Sequence, residues 1–186
     1  LQNRLLELEP SALLVDALRG ENGELKALLN RDVSKDTVLA AVLAKPSVSL
    51  YDTLVIDVGT FEGILEGDLV TVYGDFVIGI VTTVHKTSAL VTLFSSGGRE
   101  TDVTLGEARL LVTAEGRGGG NFKTELPRGV EIAVGDIVVL PNISTQIFGV
   151  VERVIATPAD QFQTVLFKNP INMTEITWVE VERSKK

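Results

Sequence analysis

His85, Asp102 and Ser144 occur in the chain order of a chymotrypsin-type triad, and residues of these types could in principle support nucleophilic catalysis. The local context argues against it. Ser144 lies in Pro141-Asn142-Ile143-Ser144-Thr145-Gln146, with no adjacent glycine to shape an oxyanion hole from backbone N–H groups. His85 ends an expected strand beside Lys86 and is the sole histidine, so a multi-histidine metal site or proton relay is excluded and a solvated structural role is expected. Cysteine is absent, which excludes disulfides and thiolate metal sites. The carboxylates Glu66, Asp68, Glu131 and Asp136 all sit in turn phrases, where bonding to nearby backbone accounts for them better than a glycosidase-like acid/base pair does. Gly116-Arg117-Gly118-Gly119-Gly120-Asn121 lacks the lysine, serine or threonine of a phosphate loop and reads as a turn or linker. Asn142-Ile143-Ser144 and Asn172-Met173-Thr174 match glycosylation sequons, tripeptides that also arise by chance. No catalytic residue, cofactor or metal ligand is expected.

The turn phrases belong to a larger pattern. Gly63-Ile64-Leu65-Glu66-Gly67-Asp68-Leu69-Val70 recurs loosely as Gly129 to Val138, with Gly135-Asp136 in the place of Gly67-Asp68. The first copy leads to Phe76-Val77-Ile78-Gly79-Ile80-Val81 and then Ala89 to Phe94; the second leads to Ile147-Phe148-Gly149-Val150-Val151 and then Gln163 to Phe167. Landmarks in the same order imply two copies of one small β unit. Gly63, Gly67 and Gly135 can take φ > 0 without steric cost, and Asp68 and Asp136 can bond nearby backbone, so each phrase closes one strand and opens the next.

Short strands separated by turn signals fill the chain from Val38 onward, which predicts small barrels or sandwiches whose closure removes exposed edges. The expected fold is mainly β: an N-terminal coiled-coil helix over 1–34, followed by two small six-stranded-type β-barrels. The first residues differ in kind. Leu1, Leu5, Leu8, Ala12, Val15, Leu18, Asn22, Leu25 and Leu29 follow one another at spacings of three and four, close to a heptad seam. Pro10, Gly20 and Gly23 weaken that helix. Leu18, Asn22, Leu25 and Leu29 are the candidate dimerisation residues, because Asn on such a seam fixes register between two strands; packing of the helix on its own domain is the alternative.

Composition bounds the partners. The net charge of −8 argues against a nucleic acid, whose binding rests on clustered Lys and Arg. The longest apolar run, Val38 to Ala44, is far short of the ~20 residues a bilayer span needs. The sequence begins at Leu1 rather than methionine and reads as a piece of something longer, with any membrane anchor upstream of it. Phe61, in Gly59-Thr60-Phe61-Glu62-Gly63, is a large apolar side chain where strand alternation has stopped. It is either an interface anchor or a plug for the open end of the first barrel. Phe148 is a second partner-binding candidate, with a core role as its alternative.

The leucine seam with Glu21-Asn22, then Tyr51-Asp52-Thr53-Leu54-Val55-Ile56-Asp57-Val58-Gly59, Gly63 to Asp68, Gly79-Ile80-Val81 and Gly135-Asp136-Ile137-Val138, together resemble the bacterial rod shape-determining protein MreC family. The resemblance covers nearly the whole chain, and Tyr51 to Asp68 is its most specific part. It implies a membrane-anchored helix, a dimerising coiled coil and two β-barrels at the outer face of the cytoplasmic membrane. The implied function is a non-enzymatic scaffold of the cell-elongation machinery. The implied partners are the elongation-specific penicillin-binding transpeptidase, MreD, RodZ and further copies of the chain itself. The strand and turn pattern places a first barrel over 48–115, a second over 116–183 and a tail at 184–186, and the resemblance implies that 35–47, with the Val38 to Ala44 strand, joins the second barrel and makes it discontinuous. Members of the family often carry a longer Gly-, Phe- and Pro-containing loop where this chain has only Thr145-Gln146-Ile147-Phe148-Gly149, so partner contacts made by that loop are not carried over. An export-pump adaptor is the runner-up, but such adaptors need a helical hairpin and one helix is visible. A periplasmic hydrolase is the other alternative, and it would need an activated nucleophile.

Overall fold

A computed structural model describes residues 20, 36–45, 52–106, 108–141, 146–156 and 160–184. The chain divides into two compact units, Leu1–Asp36 and Thr37–Lys186. Leu18, Asn22, Leu25 and Leu29 lie outside the described residues, so the fold described is that of the second unit.

Its strands are β1 (Thr37–Ala44), β2 (Thr53–Ile56), β3 (Leu69–Val72), β4 (Phe76–Val84), β5 (Ala89–Leu93), β6 (Glu100–Leu105), β7 (Leu110–Gly116), β8 (Asn121–Pro127), β9 (Ile137–Val139), β10 (Ile147–Ala156), β11 (Phe162–Lys168) and β12 (Trp178–Glu182). Six of them run in the order β4-β3-β12-β1-β2-β5, and β4 also pairs with β5, which closes a ring. The other six run β11-β8-β7-β6-β9-β10, closed by a β10–β11 pairing. Period-two alternation sets the inside of each ring: Ala89, Val91 and Leu93 of β5 are buried, as are Phe122, Thr124 and Leu126 of β8.

The first core gathers Ala40, Leu54, Ile56, Ile64, Val70, Val81, Val91, Val179 and Val181. The second is aromatic. Phe148 is fully buried at its centre, with ring centroids 4.6 Å from Phe122, 5.4 Å from Phe94 and 6.3 Å from Phe167. Tilted pairs at such distances add to what burial alone contributes. Arg99 stands 5.1 Å over the Phe94 ring, and burial pulls its guanidinium below the ordinary value.

The division between the barrels differs from the expectation in three ways. The first barrel, not the second, is the discontinuous one: β1 pairs with β12 through Val38↔Val181 and Ala40↔Val179, and with β2 through Val42↔Ile56. The reason is burial, since Ala40, Val179 and Val181 share one core with Leu54 and Ile56. The second correction concerns β6 and β7, which belong to the second barrel although all of β6 and all of β7 but Gly116 lie within 48–115. The Gly116 to Asn121 segment accordingly turns the β7–β8 hairpin and does not link barrels. Gly118, Gly119 and Gly120 all have positive φ there, and Arg117 N–H donates to the Asn121 carbonyl at 2.9 Å. Third, the C-terminus is not wholly a tail: Ser184 donates from its N–H (2.9 Å) and its hydroxyl (2.8 Å) to Asp68 Oδ1.

Buried polar groups tie the rings together. Asp52 Oδ2, in the first barrel, accepts from Ser95 Oγ at 2.8 Å and from the N–H of Gly119, in the β7–β8 turn, at 2.6 Å. Asn169 Nδ2 donates to the carbonyls of Val77 on β4 (2.8 Å) and Phe148 on β10 (3.2 Å). Gln146 Nε2 donates to Glu182 on β12 at 2.7 Å. Each supplies a hydrogen bond to a polar group at the junction of the two rings.

Phe148→Ala should destabilise the second barrel by about 3–5 kcal/mol, the range for a large buried aromatic. Urea denaturation of the two proteins checks this, and an unchanged midpoint would contradict the central placement of the ring.

Candidate partner-binding surface

Between β2 and β3 the chain makes one turn of 3-10 helix, Thr60–Glu62. Its position is set by backbone. Thr60 N–H donates to the His85 carbonyl at 2.9 Å and Phe61 N–H to the Lys86 carbonyl at 3.1 Å, so the turn lies against the β4–β5 connection. A Cβ on Gly59 would stand 2.2 Å from the His85 oxygen, so this approach admits only glycine. Glu62 folds back to accept from Gly59 N–H at 2.8 Å, and Arg183 Nη1 donates to the Glu62 carbonyl at 3.1 Å. Gly63 follows at φ 79°, after which Ile64 is fully buried in the first core.

This geometry decides where Phe61 goes. Ile64 plugs the first barrel, and Phe61 is left 72 % exposed on a loop pinned at several points. The plug expectation for Phe61 is therefore corrected. Phe148 is corrected in the other direction: with no exposed surface it cannot touch a partner, because strand alternation after Gln146 points it inward.

The two Gly-Asp turns are superimposable in their bonding. Gly67 (φ 93°) donates to the Val81 carbonyl at 2.8 Å and Gly135 (φ 98°) donates to that of Val151 at 2.9 Å. Val81 N–H and Val151 N–H return bonds of 2.9 Å to the carbonyls of Asp68 and Asp136. Each carboxylate reaches three residues back, Asp68 Oδ2 to Leu65 N–H (2.8 Å) and Asp136 Oδ2 to Ala133 N–H (3.0 Å). One step further along, β4 and β10 carry matching bulges, between Val81 and Thr83 and between Val151 and Arg153. Asp68 is fully buried and also holds Ser184, whereas Asp136 is half-buried.

The residues considered for chemistry do not come together. His85 is exposed in the β4–β5 connection, Asp102 is on β6 of the other barrel and accepts from Thr113 Oγ1 at 3.0 Å, and Ser144 lies outside the described residues. Among the described residues no group of three or more His, Cys, Asp or Glu is placed to hold a metal ion. No helix among them is long and apolar enough to cross a membrane. Sequence reasoning missed Asp52, Asn169 and Gln146, the polar ties between the barrels. Their only local signal is a polar residue flanking a strand, which solvated positions at other strand ends share.

The family model for rod shape-determining protein MreC, barrel core, matches residues 42–183. Among solved structures, MreC of Listeria monocytogenes is 26% identical with a TM-score of 0.77, over 100% of this chain and 95% of that one. MreC of Pseudomonas aeruginosa is 18% identical with a TM-score of 0.71, over 78% of this chain and 98% of that one. A complex between Penicillin-Binding Protein (PBP2) and MreC from Helicobacter pylori aligns at 13% identity and a TM-score of 0.55, over 80% of this chain and 98% of that one, a likeness of fold. Comparison with curated protein sequences gives no significant match.

Gly67→Val and Gly135→Val should each cost about 1–3 kcal/mol, since a β-branched residue is strained at φ > 0. Thermal melts of both variants check this. A melting temperature unmoved in either would show that its turn tolerates a Cβ.

Proposed function

The chain belongs to the rod shape-determining protein MreC family, and from that membership we propose that it is a non-enzymatic scaffold that organises peptidoglycan synthases of the cell-elongation machinery to maintain cell shape. The observation that carries this reading is the extent of the match, which runs from within β1 to the residue after β12 and takes in both rings. The partner we propose is an elongation-specific penicillin-binding transpeptidase; the Helicobacter pylori relative, solved as a complex with Penicillin-Binding Protein (PBP2), supports a penicillin-binding protein as partner. MreD and RodZ are the further partners proposed from the family. Copies of the chain would associate through the seam of Leu18, Asn22, Leu25 and Leu29. The working place is the outer face of the bacterial cytoplasmic membrane, with an anchor preceding the residues of this chain. The net charge of −8 supports protein partners over nucleic acid.

Phe61 is the anchor we propose for the transpeptidase. An aromatic ring that is 72 % exposed and held on a loop braced by His85, Lys86 and Arg183 loses little freedom when a partner covers it. Such preorganisation lowers the entropic cost of association, and aromatic residues commonly dominate interface energies.

Phe61→Ala should weaken binding to the transpeptidase's extracytoplasmic region by about 1 kcal/mol or more while changing stability by less than about 0.5 kcal/mol. Calorimetric titration paired with a thermal melt reads both, and unaltered binding by the folded variant removes Phe61 from the interface. For the helix, sedimentation should show a concentration-dependent monomer–dimer equilibrium that Leu25→Asp abolishes. A monomer at every concentration would favour a helix packed on its own domain.

A further inference from the structure

The wall of the second barrel is open along one seam. β8 pairs with β11 at seven register positions and β6 with β7 at six, yet β7 and β8, each seven residues long, share only Glu115↔Lys123 and Gly116↔Phe122. Beyond those two pairs the strands part. The Thr113 carbonyl takes the side-chain hydroxyl of Thr124 at 2.8 Å where a backbone donor would continue the ladder. Because alternate residues of a strand direct their N–H and C=O to the same side, those of Leu111 also face the gap, and no described residue of β8 pairs with them. A cleft of about 490 Å³ lies along the seam. Leu111 is 62 % exposed beside it, and Val112, which faces inward, is only half-buried.

The rim of the seam is acidic on its outer face. Glu100 stands directly opposite Glu115, and Asp102 opposite Thr113, with Glu125 on the facing strand. The single base among them, Lys123, has its ammonium 2.9 Å from Glu115. Like charges opposite one another across a ladder are destabilising, so folding alone does not favour this row.

We propose that the β7–β8 seam is a docking slot for an extended, lysine- or arginine-bearing segment of another protein, which adds as a strand to the free edge of β7. Backbone bonds to the edge residues would supply affinity. Side-chain alternation would place apolar groups inward, toward Val112 and Leu126, and basic groups outward, toward Glu100, Glu115 and Glu125. The charge also selects against the other available occupant, a second copy of this chain, which carries a net charge of −8. An exposed strand edge otherwise invites indiscriminate pairing, and a row of charges is the ordinary way to restrict what it accepts. The slot does not depend on Phe61, which belongs to the other barrel.

The test uses the whole chain and a short peptide of alternating lysine and valine, followed by calorimetry and by amide hydrogen exchange. The expected result is binding that slows exchange at Leu111 and Thr113 and weakens as salt is raised. A peptide of alternating glutamate and valine should not bind. N-methylation of the lysine–valine peptide at alternate residues should weaken it by ~10-fold or more, because it removes edge donors and leaves the charge. Glu115→Lys combined with Glu125→Lys should weaken it by a similar ~10-fold factor. Three results would overturn the proposal: no binding, N-methylated peptide binding equally well, or slowed exchange confined to another part of the molecule. The peptide arms stand even where the double variant fails to fold.

Discussion

Strand β4 buries residues on both of its faces, Ile78 and Val81 in the first core and Val77 in the second, and the union of the two barrels depends on it. A strand of a small closed barrel ordinarily shows water its outer side. Here Leu69 and Ile80 of the first ring also pack against the second core, and Phe76 pairs in parallel with Ile147 at the start of β10. Apolar burial supplies the attraction, while direction comes from the buried polar ties at Asp52, Asn169 and Gln146, because unpaired groups at those points would be costly. The two rings therefore behave as one body on which surface features keep fixed relative positions.

That rigidity bears on the scaffold function. Each barrel repeats the same device, in which a left-handed glycine and an aspartate fold the approach to a strand back onto its bulge. Gly79 and Gly149 serve the closure that follows. A Cβ at Gly79 would lie 2.5 Å from the Thr92 oxygen, and one at Gly149 would lie 2.9 Å from that of Lys168. Small barrels can bring strands this close only where a side chain is missing. With the frame so constrained, the loop bearing Phe61 needs just a few backbone bonds to be held, and its exposed surface is already ordered.

The frame is not equally tight everywhere. The first ring is knit by β1 and β12, which come from opposite ends of the described chain and enclose everything between them. The second ring is contiguous, and one of its long seams is paired at only two positions.

Much of this was legible in the sequence, and the division has a physical cause. Period-two alternation, glycine turns and the repeated Gly-Asp phrase are local consequences of backbone sterics, so mainly β architecture, short strands and a duplicated unit could be read directly. Strand partnership is not local. Val38 to Ala44 is the same uninterrupted apolar run whichever barrel receives it, and only the shared core with Val179 and Val181 assigned it to the first. The Gly116 to Asn121 run suits a linker as well as a hairpin, and the difference lies in whether the flanking strands pair. Phe61 and Phe148 are alike as residues; the tertiary structure exposed one and buried the other, because Gly59 and Ile64 fixed the first loop while closure of the second ring turned Phe148 toward Phe94, Phe122 and Phe167.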